Sequence, residues 1–113
     1  MKKHYVTVTG FNHYFGVTPF KIDKTLKCVK EPDNPYDGDA IVVKIKNIGT
    51  VGYVANMPYT SATGTYTAGR IYSKVSKNFK VKVRFITNSK VICEVISGMK
   101  VKEKVEPVKQ ERE

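Results

Sequence analysis

Four carboxylates, Glu31, Asp33, Asp37 and Asp39, fall within nine residues of an otherwise basic chain, in Glu31-Pro-Asp-Asn-Pro-Tyr-Asp-Gly-Asp-Ala-Ile41. Such a segment can hold a cation, cap a tight turn, or accept a hydrogen bond from a ligand hydroxyl beside its aromatic ring. The cation pattern fails: Pro35 stands where a calcium loop needs a ligand, Lys44 stands at the closing glutamate position, and no helical pattern flanks the segment. His4, His13, Cys28 and Cys93 show no paired zinc spacing. With no phosphate-binding glycine–lysine loop and no nucleophile motif, the chain reads as a binding protein without cofactor, not an enzyme. Two roles stay open and are compatible. Asn and Asp side chains bond their own backbone in turns, and Asp37 can cap the amides of Asp39 and Ala40; the same loop can present Asn34, Tyr36 and Asp37 to a ligand.

The elements around this loop are short and strand-like. Residues 4–9 alternate and are rich in β-branched and aromatic types, with Val6 and Val8 directed inward. Gly10 and Gly16 bracket Phe11, His13, Tyr14 and Phe15, which form either a plug or a stacking surface; Phe11 and Phe15 are expected inside and His13 outside. Residues 25–30 form a second strand, with Leu26 and Cys28 on one face. Residues 40–46 and 50–54 form a hairpin about Asn47-Ile-Gly49. A long irregular connection over 57–69 leads to a short helix near 67–76, with Ile71 and Val75 on one side. Strands at 80–87 and 91–96 close the pattern. In the first of these, Val81, Val83 and Phe85 face the core, while Lys80, Lys82 and Arg84 make an outward basic stripe. The fold class is mostly β: a small OB-like antiparallel barrel of about six strands with one or two short helices. Residues 1–97 form one domain and 98–113 a charged tail, disordered or a frayed helix.

The chain carries a formal net charge of +10 over 113 residues. The tail has five basic and four acidic residues, so the charge belongs to the domain. A domain this basic attracts polyanions, nucleic acid foremost. No apolar run reaches the roughly 20 residues of a membrane span, and the N-terminus lacks a signal peptide's apolar core. A cytoplasmic protein with Cys28 and Cys93 as buried thiols follows.

Taken together, the motifs resemble a HIRAN domain. The resemblance rests on Val8-Thr-Gly10 with the aromatic cluster behind it, Glu31-Pro-Asp-Asn-Pro-Tyr-Asp37 with Ala40-Ile41, and Val51-Gly-Tyr-Val54. It covers residues 4 to 96 and is closest to the free-standing kind found in bacteria. It implies a variant of the OB barrel that binds single-stranded DNA and captures a free 3′ end. By this resemblance Asn34, Tyr36 and Asp37 line the end pocket. The tyrosine packs on the terminal nucleotide, and the aspartate accepts a hydrogen bond from the 3′-hydroxyl.

Other positions depart from the family pattern. Asn12 and His13 replace an arginine and a tyrosine, while Tyr53 and Asn56 replace a histidine and a lysine. His13, Tyr14 and Tyr53 can stack on bases, but two cationic contacts are gone from the pocket. The expected partner is the 3′ end of a DNA single strand, in repair or replication. The alternative is a protein–protein interaction module on the same barrel with a decayed DNA site.

Overall fold

The computed structural model describes residues 3–100. Six strands, β1 (Tyr5–Thr9), β2 (Thr25–Lys30), β3 (Ile41–Ile45), β4 (Gly49–Val54), β5 (Val75–Ile86) and β6 (Val91–Met99), close into a barrel in the order β1-β4-β3-β2-β5-β6. Every pairing is antiparallel, and β1 closes the ring by pairing with both β4 and β6. Closure leaves no free sheet edge. The expected OB-like barrel is therefore found, with one α-helix among the described residues, α1 (Ala68–Tyr72), and one 3-10 turn over Phe11–His13.

Alternation builds the core. Val6, Val8, Leu26, Cys28, Ile41, Val43, Val51, Val81, Val83 and Cys93 all point into the barrel and are buried. Both cysteines are unpaired thiols. Burial pushes the Cys93 thiol up to about 12 and the Cys28 thiol well above its ordinary value, so both stay protonated and inert. Phe11 and Phe20 meet edge to face at 5.7 Å and join the same core. The 57–67 connection folds over β1: Ala62 N–H donates to Thr7 Oγ1 (3.0 Å), which also pairs with the Thr65 hydroxyl (2.8 Å). A threonine on the outer face of its strand is thereby fully buried and satisfied.

Several expectations need correction. Phe15 is not in the core but 54% exposed, because the chain leaves the barrel once Phe11 and Phe20 fill the space. Phe85 is 59% exposed. Between Val83 and Phe85 the β5–β6 register shifts: Val83 faces Cys93, but Phe85 faces Ile92, so one extra residue turns the Phe85 side chain outward. The helix stops at Tyr72, and Val75 opens β5 five residues earlier than its alternation suggests. β6 runs to Met99, three residues past its expected end at Ile96, while residues 101–113 of the charged tail lie outside the described residues. Arg84 is not a free member of the basic stripe: its guanidinium bonds Glu94 (2.9 Å) and Asp23 (2.7 Å).

Among the described residues no helix is long and apolar enough to cross a membrane.

Candidate nucleic-acid interface

The acidic loop spans the gap between β2 and β3, and its own side chains set its shape. Asn34 Oδ1 accepts from the amides of Tyr36 (2.9 Å) and Asp37 (3.1 Å), closing the turn that Pro32 and Pro35 prepare. Asn34 Nδ2 donates to Glu31 Oε1 (3.1 Å). The Tyr53 hydroxyl, reaching from β4, donates to the same oxygen (2.8 Å). Burial first, and then the bond to Glu31 and its charge, raise the Tyr53 phenol to about 12, so it remains a proton donor to the loop.

Asp37 is held from both sides. Its Oδ1 accepts from Asp39 N–H (2.9 Å), and its Oδ2 accepts from Asn56 Nδ2 (2.8 Å). Asn56 Oδ1 in turn accepts from Gly69 N–H at the start of α1 (2.7 Å). Any side chain at Gly69 would start 3.2 Å from Asn56 Oδ1 and from Asp39 Oδ2. One chain of bonds thus runs from β4 through Glu31, Asn34, Asp37 and Asn56 to α1. An ionised carboxylate offers about four acceptor positions. Asp37 uses two of them internally and is only half-buried, so it retains capacity for a further donor.

Tyr36 stands at the tip of the loop, 95% exposed. A ring so placed gains nothing for the fold and is free to stack. Beneath it lies a cleft of about 580 Å³ whose walls include Tyr14, Asn34, Tyr36, Asp37, Tyr53 and Asn56. Gly52 lets β4 come close to β1 beside this cleft, since a Cβ there would lie 2.9 Å from both the Thr9 carbonyl oxygen and Val8 Cγ1.

Five of the six residues singled out from the sequence therefore meet in one cleft. His13, exposed on the 3-10 turn, is not among its walls. Asn34 spends both ends of its amide on the loop and acts as its brace. Two residues were missed as positioning groups. Glu31 is the acceptor that gathers Asn34 and Tyr53, and Asn56 is the clamp on Asp37. The sequence signal for Glu31 was its place at the head of the motif. Asn56 carried none beyond the absence of a cation.

A closed six-stranded barrel with a braced acidic loop and an exposed ring over a cleft defines a small binding module. The HIRAN domain family matches residues 1–96, and the chain belongs to it. HIRAN domains are nucleic-acid-binding modules. The crystal structure of the HIRAN domain of human HLTF is similar in fold, with a TM-score of 0.55 at 20% identity, covering 82% of this chain and 74% of that one. No curated protein sequence matches the chain.

Proposed function

We propose that the cleft captures the free 3′-hydroxyl end of a DNA single strand, as a step in repair or replication in the cytoplasm. One observation carries the reading. A half-buried carboxylate, fixed by two donors and still able to accept another, lies in the same cleft wall as a fully presented aromatic ring. A carboxylate beside nucleic acid normally repels it. It becomes selective where the strand ends in a hydroxyl donor, because a terminal phosphate meets like charge instead. Tyr36 supplies stacking that tolerates any base, worth about 1–3 kcal/mol. Tyr14 and Tyr53 widen the aromatic lining. His13 stands apart from this cleft, and its contribution is limited to a strand that passes over the 3-10 turn.

Fluorescence anisotropy with two short strands, one ending in a 3′-hydroxyl and one in a 3′-phosphate, tests the proposal. The hydroxyl end binds tighter. Tyr36→Ala weakens both strands by about tenfold or more, and Asp37→Asn removes the difference between them. Equal affinity for the two ends in the parent protein would rule out end capture. A protein–protein role is the second reading. It draws on Phe15 and Ile48, exposed neighbours around a shallow apolar cleft. It takes precedence if micromolar protein binds neither strand at low salt.

A further inference from the structure

The outer face of β3, β2 and β5 adjoins the cleft and carries a different kind of surface. Lys27 stands directly opposite Lys44 on one side and Lys80 on the other. Neighbouring strands are about 4.8 Å apart, so three ammonium-bearing side chains cross three strands in one row. All three are exposed. Together with Lys46 they line a groove of about 590 Å³ whose floor includes Leu26 and Ile45. Among the described residues none of these four lysines forms an ion pair; the carboxylates that do so, Glu94 and Asp23, are taken up by Arg84 and Lys3. Like charges placed opposite each other destabilise a sheet. A row of them without counter-charges is a standing cost to the fold that a bound polyanion would remove.

The row also lies in line with the cleft. Tyr53 pairs with Val42, and Val42 with Val29. On the same face, two residues further along β3 and back along β2, come Lys44 and Lys27. Two residues of a strand span about 7 Å, so the lysine row sits one pleat repeat from the row that begins at Tyr53.

We propose that this lysine row is a phosphate track, a second contact surface that holds the backbone of the same nucleic-acid strand as it leaves the cleft. The proposal rests on the nucleic-acid reading of the cleft. The track binds without regard to sequence, because ammonium groups on flexible stems contact phosphates as point charges. It supplies the cationic contacts that Tyr53 and Asn56 cannot make. A division of labour follows: the cleft selects the end, and the lysine row provides length-dependent, salt-sensitive affinity.

The test uses oligothymidylates ending in 3′-hydroxyl, a trinucleotide and a dodecanucleotide, across a salt series. The variant is the triple Lys27→Gln, Lys44→Gln, Lys80→Gln. Its affinity for the dodecanucleotide should fall about tenfold or more at low salt. The slope of log K against log salt should become shallower by about 2, at about 0.7 per phosphate contact on a single strand. Trinucleotide affinity and the preference for a hydroxyl over a phosphate end should not change. The Lys→Arg triple, which keeps the charges, should retain the parent slope and so controls for misfolding. Unchanged dodecanucleotide binding, or an equal loss for both lengths, overturns the track. Poly-glutamate that binds the parent as tightly as the dodecanucleotide also overturns it, since the surface would then take any polyanion. A parent protein that shows no end preference, yet loses dodecanucleotide affinity and slope in the Gln triple, refutes end capture and leaves the track standing.

Discussion

The acidic loop and the lysine row lie on adjoining parts of one barrel and treat charge in opposite ways. Glu31 and Asp37 each accept two hydrogen bonds from within the protein, from Asn34, Tyr53, Asp39 and Asn56. Lys27, Lys44 and Lys80 face one another across β3, β2 and β5 and form no ion pair among the described residues. A compensated group has a fixed position and can impose geometry on a ligand. An uncompensated row has little positional order and can offer only attraction, which salt screens. On the proposed reading, selectivity belongs to the loop and electrostatic affinity to the row.

The contrast can be broken most strongly at its brace. Asn56→Ala removes one donor from Asp37 and leaves the Gly69 amide without its acceptor. At about 0.5–1.5 kcal/mol for each bond, thermal denaturation should show a loss of about 1–3 kcal/mol. The hydroxyl-end preference should fall with it, because the carboxylate is no longer held. A smaller effect of opposite sign is expected at the row. Lys27→Glu turns two like-charge pairs into opposite-charge pairs and should raise the melting temperature by ~2 °C at low salt. Added salt should erase that gain, whereas the Asn56→Ala loss should persist in salt.

The smallest effect is at Tyr53. Burial and the bond to Glu31 push its folded phenol from the ordinary value of 10 up to about 12. The stabilisation from its protonated form is complete below pH 10 and is lost as pH rises through 12. Across that window the stability difference between the parent and Tyr53→Phe should shrink. Absorbance titration of tyrosinate should show one late-titrating ring fewer in the variant.

Much of the barrel could be read from local pattern. The alternation of Ile41, Val43 and Ile45, and of Val81 and Val83, set the strands and their inward faces, because a side chain in a strand alternates whatever its partner. The turn at Asn47–Gly49 was legible too, with both residues at positive φ, 69° and 96°. Phe85 was not legible. The bulge that turns it outward exists only in the pairing of β5 with β6. Phe15 lies outside the core, and aromatic content alone does not say how many rings the barrel can hold.

The candidate site divides in the same way. Asn34, Tyr36 and Asp37 stand together in the sequence, and the Asx turn that shapes them is a contact between near neighbours, so the loop was determined locally. Prolines restrict the backbone, and asparagine supplies the bonds that close it. Asn56 lies 19 residues from Asp37 and reaches it only after β4 and α1 have packed. Lys27, Lys44 and Lys80 belong to three strands and become a row only through the register of β2 with its two neighbours. The loop, the inward faces and the net charge follow from the order of residues along the chain. Which side chains brace the loop and where the charge gathers depend on register and barrel closure, which place residues from distant parts of the chain side by side.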